Sequence, residues 1–278
     1  MGRRTPVLDL LWYVGMSVFL LAFLSPIIWV YLASLTPSDQ LAASPTAIFD
    51  VRHWTLDAFG SVWQGFAFSR AFLNTCVVSA AVALCTTFLC SLPAYALSRF
   101  TFRGKSSMAM LILLGQLLPG IVVLVPIILL LRTVHLTDNL VGLALVYTIS
   151  GVPVAVWLMR GFLNAIPREL DESVLVDGGH TFDVLRFVIL PLALPGVITV
   201  ATLSFIGSWG EYLFALSLIT SDQNWTLPLA LQEAFSQNTV SLSALTAGGV
   251  IASLPVSLMF MVAQRSLVGG LTAGSVKG

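Results

Sequence analysis

Long runs of apolar residues constrain this chain more than any other feature of its sequence. A helix rises about 1.5 Å per residue, so about 20 apolar residues cross the roughly 30 Å hydrocarbon core of a membrane. Six stretches have this length, at about residues 10–35, 71–97, 108–131, 140–159, 192–219 and 244–263. The sequence therefore predicts an all-α integral membrane protein, with residues 1–278 forming a single transmembrane domain of six helices.

The composition excludes a water-soluble globular protein. Hydrophobic residues make up 57% of the chain, charged residues only 9%, and the mean hydropathy is +0.94. So few charges cannot cover the surface of a soluble fold. The net charge is zero and the charges form no continuous basic stripe, so nucleic acid is not an expected partner. The chain is therefore expected to lie in a lipid bilayer.

The basic residues divide unevenly between the two sides of the predicted membrane. With the N-terminus inside, ten of the 13 Lys and Arg residues lie on the cytoplasmic side, including Arg3, Arg4 and Lys277. The positive-inside rule therefore predicts a multi-pass protein of the cytoplasmic (inner) membrane with both termini in the cytoplasm. A polar loop of about residues 161–190 lies on the same side.

This cytoplasmic loop has the pattern of two short helices joined at glycine. Its first helical turn is acidic, which the positive end of a helix dipole favours, and contains Glu169, Asp171 and Glu172. The sequence Asp177-Gly178-Gly179 predicts a helix end, because glycine adopts the left-handed conformation at little cost. A second short helix is expected to begin at Thr181, which could cap it, and to end at Pro191.

The spacing in this loop resembles the cytoplasmic EAA loop of the membrane subunits of bacterial ABC importers. Glu172, then Asp177-Gly178 after four residues, fits the family pattern, whereas Ser173 and Val174 replace its two alanines. In the family, the loop forms a coupling helix that seats in a groove of the ATPase subunit. The resemblance implies that the ATPase-coupling residues are Glu172, Ser173, Asp177, Gly178 and Gly179. A cytoplasmic loop without a partner is the alternative interpretation.

Other segments extend this resemblance over most of residues 70–278. Residues 157–170 (WLMRGFLNAIPREL) are similar to the family's approach to the coupling helix, and residues 208–216 (SWGEYLFAL) to its Trp-Asn-Glu-Phe segment, with Gly210 in place of Asn. The ending, residues 264–278, resembles the tail of the six-helix permease in maltose-type importers. The likeness narrows the family to carbohydrate importers of the type I permease fold, with particular similarity to trehalose permeases of actinobacteria.

The resemblance implies a permease subunit of an ATP-driven importer of a di- or oligosaccharide, such as trehalose or a maltose-like sugar. The family's assembly contains a second permease subunit, two copies of an ATP-binding subunit and an extracytoplasmic solute-binding protein. This chain has no Gly-x-x-x-x-Gly-Lys-Ser/Thr phosphate loop, so ATP and Mg are expected on the partner ATPase and no cofactor on this chain.

Two other functional classes fit the sequence less well. A membrane-embedded enzyme needs a nucleophile with a base, a carboxylate pair or a metal site at membrane depth, and Glu211 is the only acid inside a predicted span. An ion-coupled secondary transporter or channel subunit is the more serious alternative. Such carriers commonly show inverted repeats and intramembrane acids, and no repeat relates the two halves of this sequence.

Polar and aromatic residues near the spans are candidates for the translocation path or its gate, namely Gln116, Trp209, Glu211 and Tyr212. An ionised carboxylate inside a membrane costs about 2.5–3.5 kcal/mol, so Glu211 should face a wet interior. The two aromatic rings suit stacking on a sugar, with interfacial anchoring as the alternative. Pro119 and Gly120 interrupt the third span after Gln116, as helices facing a pathway or ordinary kinks do.

The external loop between the fifth and sixth predicted spans, about residues 220–243, is rich in amides and contains no Lys or Arg. Amides both donate and accept hydrogen bonds and therefore suit sugar hydroxyls. A short helix is expected over about residues 227–235. Resemblance to maltose-type permeases implies that the loop enters the solute-binding protein, with a plain connector as the alternative. The candidate contacts are Gln223, Asn224, Trp225 and Gln232, followed by Gln237 and Asn238.

Overall fold

The computed structural model describes residues 6–65, 67–236 and 240–273, and all regular structure in these ranges is helical. The predicted all-α class is confirmed. Several residues used in the predictions lie outside the described ranges: Arg3, Arg4, Gln237, Asn238 and Lys277.

The α-helices follow one another through short connections. Their bounds are α1 Pro6–Leu35, α2 Ser38–Ala43, α3 Asp57–Gln64, α4 Phe68–Arg99, α5 Lys105–Leu117, α6 Gly120–Thr133, α7 Leu140–Ala165, α8 Glu169–Val176, α9 Thr181–Asp183, α10 Leu190–Trp209, α11 Leu213–Leu218, α12 Leu227–Ser236 and α13 Leu242–Ala273. Shorter 3-10 turns cover Pro45–Phe49, Val51–His53 and Asp222–Asn224. A π-helical turn, Val184–Ile189, joins α9 to α10.

Within the described residues, five helices are long and apolar enough to cross a membrane individually. They are Asp9–Leu35, Phe68–Arg99, Leu140–Ala165, Thr181–Trp209 and Leu242–Ser266. The remaining predicted span, the third at about residues 108–131, corresponds to the pair α5 and α6, which meets the same criterion only when both helices are taken together.

The third predicted span is not one straight helix. Helices α5 and α6 are bent by 95° at their junction. Leu118 is extended there, with φ −77° and ψ 119°, and Pro119 follows it. A proline ring clashes with an α-helical conformation of the preceding residue, which explains why the helix ends at this point. Hydropathy alone does not detect the bend, because the apolar character continues across it.

The fifth span also differs from its predicted bounds of residues 192–219. A continuous helix runs over Thr181–Trp209, so the separate short helix predicted to end at Pro191 is wrong. Leu190 N–H donates to Leu185 O in the π-helical turn. The wider turn accommodates the missing N–H of Pro191 without breaking the helix. The helix instead ends at Trp209, and a non-helical segment at residues 210–212 precedes α11.

The chain divides into two compact units, Met1–Ser69 with Leu231–Leu254, and Arg70–Ala230 with Pro255–Gly278. In the first unit, Ala33 and Ile48 belong to a small apolar cluster, and Ser243 Oγ donates to Thr36 O at 2.7 Å. The second unit contains the predicted coupling loop and two larger apolar clusters.

In the second unit, α4 and α7 contribute to both clusters. The first cluster contains Cys90, Ala94 and Leu97 of α4 with Met159 and Leu163 of α7. The second cluster contains Val78 and Val82 of α4 with Leu143 and Val146 of α7, together with Phe214 and Leu218 of α11. Apolar burial therefore supports these two helices along most of their length.

Candidate functional site

The predicted coupling loop forms helix α8 followed by a tight left-handed turn. Gly178 has φ +85°, and its N–H donates to Leu175 O at 3.2 Å. The N–H of Gly179 donates to Val174 O at 2.9 Å, which completes the paired hydrogen bonds of a Schellman motif. The sequence-predicted helix end at Asp177-Gly178-Gly179 is confirmed.

The two glycines of this turn are required for different reasons. Gly178 has open space around it, so only its positive φ disfavours other residues. A Cβ on Gly179 would lie 2.7 Å from Val174 Cγ1 and 2.9 Å from Val174 O. Distances this short force neighbouring atoms to move, so the turn depends on both glycines.

The start of the next helix differs from the prediction that Thr181 caps it. His180 occupies the N-cap position, and its N–H donates to Asp183 Oδ2 at 2.8 Å. The hydrogen bond fixes the chain direction immediately after Gly179. The two helices therefore leave the turn in a defined orientation.

Helix α8, the turn after it and the start of α9 present polar and apolar groups to the surface. Glu172, Ser173, Asp177 and Gly178 are exposed. Val176 is 86% exposed, and Leu175 and Phe182 are 50% and 66% exposed. A mixed acidic and apolar surface of this kind suits a protein partner better than water alone.

An ion pair that the sequence analysis did not identify joins α8 to the end of α4. Arg99 Nε and Asp171 Oδ2 are 2.9 Å apart, with 6% and 17% of their side chains exposed. The Nε–H does not align with the carboxylate as a hydrogen bond, so charge attraction holds this pair. Both charges could be placed on the cytoplasmic side from sequence, but their pairing depends on the tertiary fold.

Further polar contacts surround this ion pair. Arg99 Nη1 donates to Ile166 O at 3.1 Å, and Arg168 Nη2 donates to Ser98 O at 2.9 Å. Ser98 Oγ donates to Asn164 Oδ1 at 2.8 Å. The end of α4 is therefore tied to both the end of α7 and the start of α8.

A cavity of about 260 Å³ lies among α4, α7, α10 and α11 of the second unit. Its lining is mainly apolar, with polar groups contributed by Thr86, Tyr147, Ser150, Ser204, Ser208 and Glu211. Thr86 is completely buried, and its Oγ1 has no hydrogen-bond partner. The cavity is thus an apolar space with a few polar groups on its wall.

Glu211 lines this cavity, but not from within a helix as predicted. It lies between α10 and α11, and its carboxylate accepts hydrogen bonds from Phe214 N–H at 3.0 Å and Ala215 N–H at 3.3 Å. These N–H groups begin α11 and lack intrahelical partners. The carboxylate therefore stabilises the start of α11, where the helix dipole also favours negative charge.

The other three candidate path residues do not line this cavity. Trp209 is 5% exposed and stacks on Phe205, with ring centroids 5.5 Å apart. Tyr212 is 36% exposed. Gln116 Nε2 donates to Ser150 O at 3.0 Å, which brings it next to a lining residue without placing it on the wall.

The predicted external loop is fastened at its start by Asp138. Asp138 Oδ1 accepts hydrogen bonds from Thr220 N–H, Ser221 N–H and Ser221 Oγ, at 3.0, 3.1 and 3.0 Å. Burial raises the pKa of Asp138, but the hydrogen bonds from Ser221 and Thr220 outweigh this effect and lower the pKa below its ordinary value. Sequence reasoning missed this residue.

The amides of this loop are only partly available to a ligand. Asn224 Nδ2 donates to Asp138 O at 2.7 Å, and Trp225 packs against the second apolar cluster. Gln223 and Gln232 are exposed. Helix α12, Leu227–Ser236, matches the short helix expected over residues 227–235. Of the four main candidates, the two glutamines are thus the more accessible.

Comparison with known proteins identifies the family. Residues 88–272 match the family described as the binding-protein-dependent transport system inner membrane component. The chain belongs to this family. The permease is 31% identical over 257 residues to the trehalose transport system permease protein SugB of Mycobacterium tuberculosis, covering 92% of this chain and 93% of the relative. It is 29% identical over 266 residues to the maltodextrin transport system permease protein MdxG of Bacillus subtilis, covering 94% and 95%.

A solved structure has the same fold as the permease. It belongs to a bacterial ABC transporter involved in the import of the acidic polysaccharide alginate, and the TM-score is 0.79 at 23% identity, with 95% of this chain and 98% of that chain covered. The type I importer permease fold is therefore confirmed. The permease is a non-enzymatic membrane subunit of a sugar ABC transporter, and its family implies a separate ATPase and a binding protein as partners.

Proposed function

We propose that the permease imports a di- or oligosaccharide, trehalose or a maltose-like sugar, across the cytoplasmic membrane. The similarity to SugB, a trehalose transport permease, and to MdxG, a maltodextrin transport permease, supports this substrate class. The observation that carries the coupling role is the exposed α8 surface, held to α4 by the Arg99–Asp171 ion pair. A helix held in this way can transmit movement from a docked partner, whereas a loose loop would absorb it.

The partner at α8 is the ATPase, which holds ATP and Mg. Glu172 would meet a basic residue there, while the exposed Leu175 and Val176 would occupy an apolar groove. Closure of two ATPase copies would move α8 and change the access of the solute path between the two sides of the membrane.

A second permease subunit completes the solute path. Small-molecule sites have volumes of about 300–1,000 Å³. The cavity beside Glu211 is about 260 Å³ and has few polar groups, so this site alone supplies too little space and too few hydrogen bonds for a disaccharide. A second subunit facing the Glu211 wall would supply the remaining surface.

On the external side, the loop that follows Ser221 is proposed to contact the solute-binding protein. Gln223 and Gln232 are the exposed amides available for this contact. Their neutral side chains bind hydroxyls without the desolvation cost of a charge.

Reconstitution tests the proposed function. The complex is purified through a tag on this permease, its partners are identified by mass spectrometry, and the binding protein is screened against trehalose and maltodextrins. We expect ATP-dependent uptake of a bound sugar into proteoliposomes, and no uptake by the permease alone. Uptake by the isolated permease down an ion gradient would instead establish a secondary transporter.

A further inference from the structure

Helix α4 is fastened at its first turns to the external loop. Asn74 Nδ2 donates to Gln223 O at 3.0 Å and to Trp225 O at 2.9 Å. Thr75 Oγ1 accepts a hydrogen bond from Leu227 N–H at 2.7 Å, and Thr75 is 1% exposed. The segment that leads into α12 therefore follows the position of α4.

The opposite end of α4 is fastened to the coupling region. Arg99 pairs with Asp171 of α8, and Ser98 accepts through its carbonyl oxygen from Arg168. The Arg99–Asp171 pair joins α4 to α8 independently of the chain connection between α7 and α8, whereas the Arg168 contact joins α4 to that connection. Movement of α8 therefore has a second route into the membrane domain.

The helix between these two ends is continuous. Asn74 and Arg99 are separated by 25 positions in α4, which corresponds to about 37 Å along the helix axis. Pro93 removes one backbone hydrogen bond, but Cys90, Ala94 and Leu97 on both sides of it are buried in the first apolar cluster. Packing therefore limits bending at this proline.

Residues in the middle of α4 also line the cavity. Val82 and Thr86 line its wall, and a Cβ on Gly151 of α7 would lie 3.7 Å from Thr86 Cγ2. A shift of α4 would change the cavity wall as well as the external loop. One helix thus reaches the coupling region, the cavity and the external loop.

We propose that α4 is a strut that transmits movement between the coupling helix and the external loop, with Arg99 and Asn74 as the positioning residues at its two ends. This inference rests on the proposed function, because it requires an ATPase at α8 and a binding protein at the loop. The competing route is α7, which continues into α8 through residues 166–168 and would make both positioning residues dispensable.

The inner joint is tested in the purified complex by Arg99→Gln. Basal ATPase activity and its stimulation by the sugar-loaded binding protein are measured in proteoliposomes with Mg-ATP. Coupling between sites commonly changes a response 5- to 150-fold, and we expect a loss of stimulation of at least about fivefold with basal activity retained. Arg99→Lys, which keeps the charge near Asp171, should restore part of the stimulation. Arg103→Gln is the control, because Arg103 is an exposed arginine in the loop that follows α4.

The outer joint is tested by Asn74→Asp, which preserves the shape of the side chain and removes the two donated hydrogen bonds. We expect the same loss of stimulation, although residue 74 is about 37 Å from the coupling region. Gln64→Glu, an equivalent change at an exposed amide, is the control and should behave as wild type.

The outcomes separate the strut from the proposed function. Normal stimulation in both Arg99→Gln and Asn74→Asp would overturn the strut and leave the importer function standing. Equal loss of basal and stimulated activity, unrelieved by Arg99→Lys, would show a structural role and would also overturn it. A wild-type complex without stimulation by any binding protein would overturn the proposed function, and the strut with it.

Discussion

Charged side chains in this permease stabilise the places where helices end. Arg99 donates to Ile166 O, Asp138 accepts from Thr220 and Ser221, and Glu211 accepts from the first N–H groups of α11. Unpaired backbone groups are costly away from water, and a charged partner forms a stronger hydrogen bond than a neutral one. At the residue scale, these charged side chains therefore pair with backbone N–H and C=O groups that lack helical partners in a mainly apolar chain.

Replacement of Gly178 tests the coupling turn. Gly178→Val places a β-branched residue at φ +85°, where a Cβ costs roughly 1–2 kcal/mol. We expect the variant to insert and assemble, but to lose sugar uptake and the transport-linked ATPase response. Gly161→Ala in α7 is the matched control, since no atom lies within 4 Å of its added Cβ. Uptake at the wild-type rate in Gly178→Val would contradict the coupling assignment.

Water access to Glu211 is tested by thiol labelling. The three native cysteines, Cys76, Cys85 and Cys90, are first replaced by alanine. We expect Glu211→Cys to react with a membrane-impermeant thiol reagent in at least one nucleotide state, because the side chain lines the cavity. Leu84→Cys, on an apolar side chain that is 72% exposed on a membrane helix, should remain unlabelled. Protection of residue 211 in every nucleotide state would exclude a wet cavity.

At the element scale, the sequence predicts the positions of the helices better than it predicts the breaks within them. The apolar runs predict which segments are helical and approximately where they lie, since a run of suitable length is the signal itself. They do not predict the 95° bend between α5 and α6, because apolar residues continue across that junction. They also do not locate the break after Trp209, because Gly210 and Glu211 interrupt the apolar run only briefly and it resumes at Leu213. Gly120 at the start of α6 faces the ring of Phe214 in α11, so tertiary packing brings these two breaks together.

In the predicted coupling loop, the sequence likewise predicts the local structure but not the long-range contacts. Its acidic first turn and glycine stop depend on neighbours within a few residues, and both are present as predicted. The Arg99–Asp171 pair joins residues 72 positions apart, and the Asp138–Ser221 contact joins residues 83 apart. A single sequence contains no local signal for contacts at such separations.

Removal of the Asp138 charge should loosen the external loop. In Asp138→Asn, neutral hydrogen bonds replace charge-assisted ones, which are roughly twice as strong. We expect the amides of Thr220 and Ser221 to lose protection against hydrogen exchange by about tenfold, corresponding to about 1.4 kcal/mol. Asp222→Asn provides a neighbouring exposed control with the same change of charge. Unchanged protection in Asp138→Asn would show that the carboxylate does not fasten the loop.

The lowered pKa of Asp138 also determines the pH dependence of this fastening. A carboxyl group with a depressed pKa stabilises the folded loop fully above its unfolded pKa of about 3.9, and the effect is lost as pH falls through the folded value. Protection factors at Thr220 and Ser221 should therefore remain constant above about pH 5 and decrease only in stronger acid. Loss of protection between pH 7 and pH 5 would contradict this mechanism.

At the scale of the whole molecule, the sequence predicts an orientation from the distribution of basic residues. The described helices are consistent with six crossings if α5 and α6 together form one of them. With six crossings, the distribution of ten basic residues inside and three outside predicts that both termini face the cytoplasm.

Reporter fusions test this orientation. A green fluorescent protein fused after residue 278 should fluoresce, and alkaline phosphatase at the same position should be inactive. Phosphatase fused after residue 135, in the connection between α6 and α7, should be active because that connection lies outside. Active phosphatase at the C-terminus would reverse the proposed topology.

The π-helical turn Val184–Ile189 determines which face α10 presents to the cavity. Each residue added to or removed from a helix rotates everything beyond it by about 100°. Leu203, Ser204 and Gly207 line the cavity from α10, while the coupling turn lies on the other side of the π segment. Deletion of one residue in the π-helical turn would rotate α10 relative to the Gly178 turn. Leu203, Ser204 and Gly207 would then no longer face the cavity. The number of residues in that segment, rather than the chemistry of any one of them, therefore sets which face of α10 lines the cavity.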